Sequence, residues 1–457
     1  MRTLTTALAI AAALTCHTAA AQTAYTIHQL LDSAMHTNSA MRQAQRDVES
    51  ARLQHKEAFT NFFPSISGTA MTFTANRDMA VMDIDTKEFI TPEIGATLAE
   101  MLPAEALAAL SSPMTMSMLK NGTLAGVNAT LPIFAGGQIV NGNRLARLGE
   151  EVAQLRQQLT ANDVEQQLTT YFWQLAALKQ KRNTIQAADS MLATIEANAQ
   201  AAVEAGVVLR NDLLQVQLRR NEIASNRLKV DNGIALLHLV IAQFCQLSTT
   251  DFDIHVPDDD TTEACTTQPF DGAMLTADDH AAVASLPEYR LLEANVRAAT
   301  LLRRMELGKR LPTIAVGAGY NFHNLLERNR HFGMLFATAA VPITDWWGGS
   351  YAIRRKRIAE NDAREKLNDN AQLLAIRQHK AANDLAEAQS QLHLADNAIG
   401  QAEENMRLQR DTYQAGTTTM SDLLKAQLLL QQALDARTDA IAALNNARLA
   451  YRQAMGL

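Results

Sequence analysis

The sequence predicts a mainly α-helical protein with a small β part of membrane-strand length, built as two copies of one unit. Three observations carry this reading. Residues 204–218 (EAGVVLRNDLLQVQL) and 414–428 (QAGTTTMSDLLKAQL) lie 210 positions apart and share seven identities, Ala205/Ala415, Gly206/Gly416, Asp212/Asp422, Leu213/Leu423, Leu214/Leu424, Gln217/Gln427 and Leu218/Leu428. At the same offset LPIF (131–134) is answered by VPIT (341–344), each soon followed by a Gly-Gly pair, Gly136-Gly137 and Gly348-Gly349. Each pair opens a stretch without proline that runs to the repeated phrase, 137–205 and 349–415. Repeats of this size have to be recognised before any local motif is read.

In chain order, residues 1–21 carry Arg2, an apolar stretch from Ala7 to Leu14 and an Ala19-Ala20-Ala21 site, the layout of a secretory signal peptide cleaved near Ala21. Cys16 offers lipidation as a rival, but Ala13-Leu14-Thr15 is a poor match to the residues that precede a lipidated cysteine. No later run approaches the ~20 consecutive apolar residues of a membrane helix, so a membrane span would have to be β. The formal net charge is −7, and −8 without Arg2, which gives no basic field to attract nucleic acid.

Residues 26–60 are rich in Ala, Gln, Arg and Glu without Pro or Gly and predict a helix, stopped by Asn61-Phe62-Phe63-Pro64. Candidate strands follow at about 65–75 and 124–134, the second with Val127, Ala129, Leu131 and Ile133 on one face, and again at about 313–323 and 334–343. In the last two, Ile314, Val316, Ala318, Tyr320 and Phe322, and Leu335, Ala337, Ala339, Val341 and Ile343, alternate strictly. Strands of about ten residues are what a tilted membrane barrel needs. A small soluble sheet is the alternative, but an isolated hairpin with an apolar face needs a surface to bury it. Tyr320, Phe322, Phe332, Phe336, Trp346 and Trp347 would suit an aromatic girdle, and Pro132 and Pro342 with the two Gly-Gly pairs mark the strand exits.

At ~1.5 Å per residue the two stretches without proline predict helices of about 100 Å, far beyond the usual three turns of a compact domain. Their apolar positions are sparse and small, as coiled-coil contacts beside a wet surface require. Gly206 and Gly416 fit the left-handed position that ends a helix, and Asn211 or Asp212, and Ser421 or Asp422, are candidate caps of the return helices, 212–246 and 421–454. The domains are then a first repeat over 22–247, an acidic linker over 248–285 and a second repeat over 286–457.

Two features are candidates for chemistry. Cys245 and Cys265 remain after leader cleavage and could pair, the alternative being two separate thiols. An insert over about 76–122 holds Met114, Met116 and Met118 on one face of an extended segment, and thioethers are soft-metal ligands as well as filler for loose apolar contacts. Motifs for nucleophilic, phosphate-binding or zinc chemistry are missing, so neither an enzyme nor a cofactor is expected.

With these features the chain resembles the TolC family of outer-membrane efflux proteins over nearly all its mature length. The resemblance implies a homotrimer in outer-membrane lipid. Each protomer would give four strands to a 12-stranded barrel, and its helical hairpins would form an α-barrel tunnel opened at its periplasmic tip by an adaptor (membrane fusion protein) and an inner-membrane pump. Carried over position by position, Tyr413 matches a family tyrosine that bonds to an aspartate matched here by Asp212, and Asp422 matches an aspartate that rings the constriction. Thr418 stands where the prototype has a latch arginine and Lys425 where it has a second ring aspartate, so the gate departs from the pattern. Gly206, Val207, Val208 and Leu209, with Gly416, Thr417 and Thr418, would form the adaptor contacts. The rival function is a soluble periplasmic coiled-coil adaptor or spacer, which would leave the four strands unexplained.

Overall fold

The computed structural model describes residues 24–77, 79–84, 114–118, 120–256, 283–325, 329–343 and 346–457, with scattered positions between 91 and 106. The leader and Cys265 lie outside the described residues. The elements are β1 (Ala24–Tyr25), α1 (Ile27–Thr37), α2 (Ser39–Thr60), β2 (Ser65–Thr74), β3 (Ala80–Ile84), β4 (Met114–Met118), β5 (Asn121–Ala135), α3 (Gln138–Glu204), α4 (Arg210–Cys245), β6 (Asp253–Ile254), α5 (Pro287–Gly308), β7 (Thr313–Asn324), β8 (Asn329–Ala340), α6 (Trp346–Gln414) and α7 (Met420–Met455). They fall into two compact units, one of residues 1–52, 148–297 and 361–457, the other of 53–147 and 298–360.

The first unit is helical. The single helix expected over 26–60 is broken at Asn38, whose backbone is extended (φ −60°, ψ 139°). Its side chain accepts from the Ala40 N–H and donates to the Phe244 carbonyl, so the break is held from within α2 and from the end of α4. Thr26 and Gln29 form a reciprocal capping box at the start of α1. The main core gathers Leu30 and Ala34 of α1, Leu168, Phe172 and Leu175 of α3, Ile241 and Cys245 of α4, and Phe252 beside the short parallel pair β1–β6.

Further along, buried positions step by seven: Ile185, Leu192 and Ala199 on α3, Val216 and Ile223 on α4, and Ala381, Ala388, Ala395 and Ala402 on α6. A strict seven-residue period is the mark of helices that supercoil left-handedly, and alanine lets their backbones approach closely. By length and composition α4 would also qualify as a membrane helix. Its Val216, Ile223, Ile234 and Ile241 are buried in the helical packing, and we read it as a bundle helix.

The second unit holds a four-stranded antiparallel sheet in the order β2-β5-β7-β8, so the strand pairs of the two repeats join through β5 and β7. Register sorts its side chains cleanly, because residues directly opposite share a face. One face carries Ile66, Ala125, Val127, Ala129, Leu131, Ile314, Val316, Ala318, Tyr320, Phe322, Leu335, Ala337 and Ala339, with no Asp, Glu, Lys or Arg. Leu335 is 88% exposed and Ile66 74%. The other face carries Ser65, Ser67, Thr69, Met71 and Phe73, Leu124, Gly126, Asn128 and Thr130, Gly317, Gly319, Asn321 and His323, and Arg330, Phe332, Met334, Phe336 and Thr338. Phe332 and Phe336 therefore face away from Tyr320, against their expected place in one girdle, because β8 pairs with β7 in the register Phe332↔Asn321.

On this second face large side chains lie flat over glycines. Phe73 covers Gly122, Asn321 covers Gly126, Asn128 covers Gly319 and Phe336 covers Gly317, each leaving no room for a Cβ. A register shift between Pro132 and Phe134 carries β5 past its proline to Ala135. By contrast β8 stops at Ala340, before Pro342, so the last strand begins and ends earlier than expected. Glu360, buried on α6, accepts from Arg303 and Thr300 of α5 and ties the two helices together.

Candidate functional site

The repeated phrases build two turns of the same backbone form. In the first, the Val207 N–H reaches the Ala202 carbonyl (2.9 Å) and the Gly206 N–H the Val203 carbonyl (3.0 Å), with Gly206 at φ 73°. In the second, Thr417 reaches Thr412 and Gly416 reaches Tyr413, both at 3.0 Å, with Gly416 at φ 72°. This pair of bonds closes a helix only when the glycine position is left-handed, which is why glycine recurs at both tips. The exposed chemistry then diverges. Val207 and Leu209 are 78% and 74% exposed with Val208 half-buried, whereas the second turn presents Thr417, half-buried Thr418 and Thr419.

The return helices begin earlier than the sequence suggested. Leu209 is the N-cap of α4, without a side-chain bond, and Thr419 is the N-cap of α7. The Thr419 hydroxyl accepts from the Asp422 N–H (3.3 Å) and is 2.6 Å from Asp422 Oδ2, to which Thr418 donates at 3.4 Å. Bonding to Thr419 holds the Asp422 carboxyl below its usual range, with smaller help from Thr418 and from the positive charge of Lys425. Lys425 itself is exposed and makes no ion pair among the described residues. Tyr413 is half-buried beneath this turn, and burial, then the negative charge of Asp212, pushes its phenol above the ordinary value. Tyr413 and Asp212 are thus neighbours in one chain, but no hydrogen bond joins them.

These contacts give a pH signature. A carboxyl with a depressed folded-state pKa adds stability that is present above its ordinary pKa and is lost as pH falls through the depressed value. The first turn of α7 should therefore fray below about pH 4. Thr419→Ala should reproduce the fraying at pH 7 at a cost of about 1 kcal/mol. Hydrogen exchange at residues 420–424 checks both; protection unchanged between pH 7 and pH 3 would refute the cap.

Behind the tips the two hairpins share a core of Ala199, Leu213, Val216, Met406, Met420, Leu423 and Ala426. Arg219 of α4 donates to Gln427 (3.2 Å) and Gln431 (3.3 Å) of α7 and pairs with Glu222 (2.8 Å). Arg220 joins Asp189 and Glu196 of α3, and Gln217 donates to Glu196 (3.0 Å). Sequence reasoning missed Arg219, Arg220 and Gln431. The repeated Gln217/Gln427 pair was a signal, yet its members take different partners, one within its own hairpin and one across to the other.

The remaining sequence candidates are scattered. Gly136 and Gly137 are left-handed (φ 59° and 74°) and form the first strand exit, with Gly136 pressed against the backbone of Gly308. Gly348 and Gly349 instead lie in the opening turn of α6, with the Arg310 side chain over Gly349, so the two Gly-Gly pairs do different work. Trp346 and Trp347 start α6, and their side chains lie outside the described part of the structure. Beside the sheet's proline end, Phe59 of α2 clusters with Phe62 and Phe63 of the helix stop, with ring centroids 5.5 to 5.7 Å apart. Met114, Met116 and Met118 lie on β4, which pairs with β3. Cys245 is buried as a free thiol that donates to the Leu30 carbonyl, and burial pushes it up to about 11.

No curated protein matches the sequence. Residues 280–457 match the outer membrane efflux protein family. Among solved structures, the Campylobacter jejuni CmeC outer membrane channel aligns with a TM-score of 0.74 at 13% identity over 94% of this chain and 85% of its own. The Vibrio cholerae outer membrane protein VceC gives 0.70 at 12% over 94% and 96%. The open state of the Neisseria gonorrhoeae MtrE outer membrane channel gives 0.69 at 12% over 94% and 88%. Residues 280–457 thus match the outer membrane efflux protein family, and nearly the whole chain shares the fold of these channels.

Proposed function

We propose that the chain is the outer-membrane exit duct of a tripartite efflux or secretion system, a homotrimer in which three four-stranded sheets close one 12-stranded barrel. The sheet carries the reading: its uncharged apolar face is bare, and its outer strands β2 and β8 have no further partner among the described residues. Open edges and exposed apolar faces are both unstable in isolation. Lipid covers the face, and neighbouring copies pair the edges. Passage is passive, so no catalytic group is required, and an adaptor with an inner-membrane pump supplies direction. In this reading the two tips form the gate, and Val207 and Leu209 are the apolar adaptor contacts.

Extraction from outer membranes and single-particle imaging should show a three-fold particle. A water-soluble monomer absent from that fraction would restore the adaptor or spacer reading. In planar bilayers Asp422→Asn should lower the preference for cations, since three copies would ring the axis. An unchanged reversal potential would leave Asp422 as a helix cap only.

A further inference from the structure

The sheet face opposite the lipid face is expected to line water, and barrel interiors are generally polar. Half of it is not polar. A groove of about 870 Å3 runs across all four strands, walled by Met71, Leu124, Phe332, Met334 and Phe336, with Asn128, Asn321 and His323 set among them. Among the described residues its lining includes no Asp, Glu, Lys or Arg. The His323 ring packs edge-on to Phe332 with centroids 5.9 Å apart, and its Nδ1 is buried without a hydrogen-bond partner. Such an atom costs free energy unless something in the groove satisfies it. The side chains are also held in place: Phe336 rests on Gly317, Asn128 on Gly319 and Asn321 on Gly126.

We infer that this groove is a binding station for neutral, ring-bearing solutes with a hydrogen-bonding substituent, reached before the solute leaves the duct. The inference rests on the exit-duct reading and adds a substrate class to it. The volume is that of a small-molecule site, and such sites combine apolar and aromatic walls with a few placed polar groups. Among the described residues no charged side chain lines the groove, and Arg330, opposite His323 on the same face, stands outside that lining, so an ionic occupant seated among the rings would lose its hydration without a counter-charge. The two aromatic rings offer offset or edge-on stacking to an aromatic solute. Asn128, Asn321 and His323 can meet a hydroxyl or amide.

The test uses the full-length trimer in planar bilayers, with 1-naphthol as the neutral probe and naphthalene-1,5-disulfonate as a charged probe of similar ring size. The expected result is concentration-dependent interruption of single-channel current by 1-naphthol and much weaker interruption by the disulfonate. Phe332→Ser with Met334→Ser should shorten the 1-naphthol residence time about tenfold, read against the variant's own unblocked current. His323→Phe, which keeps a ring and removes the nitrogen, should shorten it for 1-naphthol but not for unsubstituted naphthalene. Equal block by both probes, or residence unaltered in the double variant, would overturn the inference while leaving the duct intact. Absence of any channel current would overturn the duct reading and the inference with it.

Discussion

On the exit-duct reading, Leu335→Arg should strip the protein from the membrane fraction. Leu335 lies in the middle of β8 opposite Ala318, on the face that carries only apolar and small residues through the centre of the sheet. It is 88% exposed, so a larger side chain meets no steric obstacle within the chain. The effect must then come from solvent. Moving arginine into the midplane of a bilayer from the lipid face of a barrel costs about 2–4 kcal/mol, and in a trimer that cost arises three times. A soluble sheet would tolerate the same change, since an exposed Leu-to-Arg substitution usually shifts stability by no more than about 0.5 kcal/mol. Thr338→Arg, three positions along on the opposite face, is the control and should insert. Fractionation of the two variants, followed by heat-modifiable migration on gels, separates the outcomes. Normal insertion of Leu335→Arg would mean the apolar face does not meet lipid.

The second large effect belongs to the helical unit. Phe172→Ala should destabilise it by about 3–5 kcal/mol, the usual range for truncating a fully buried aromatic. Phe172 is completely buried in the core with Leu30, Leu168, Leu175, Ile241 and Phe252, and its ring stands nearly perpendicular to Trp173 (84°, centroids 5.6 Å). This core joins α1, α3, α4 and the β1–β6 pair, so a cavity there loosens every element of that end of the unit. Leu175→Met in the same core conserves volume and should cost less than about 1.5 kcal/mol. Thermal melts followed by far-ultraviolet circular dichroism should order the two variants this way. Equal melting temperatures would show that the cluster carries little of the stability.

Much of this architecture was legible in the sequence because repetition and periodicity are local signals. The offset of 210 positions linked Gly206 to Gly416, and both prove left-handed at matching turns. Alternation placed Val316, Ala318 and Tyr320 on one face, and register confirms it. What escaped depends on pairing between distant segments. Asn38 breaks a helix that composition favours, because it binds the Phe244 carbonyl 206 residues away. Phe332 and Phe336 fell on the unexpected face because alternation fixes which residues go together but leaves their side of the sheet to the partner strand. At the site, Gly206 and Gly416 were visible from chain conformation alone. Arg219 was hidden: nothing in its neighbourhood says that Gln427 and Gln431 lie opposite.

The alanine stripe on α6 sets a rule for the length of the helices. Ala381, Ala388, Ala395 and Ala402 keep contact because each is two turns of a slightly tightened helix beyond the last. Adding a single residue would swing everything beyond it by about 100° and turn polar side chains into the seam. Adding seven would restore the phase. Protein of this design can therefore grow or shrink only in fixed increments of about 10 Å, by whole heptads rather than by gradual extension.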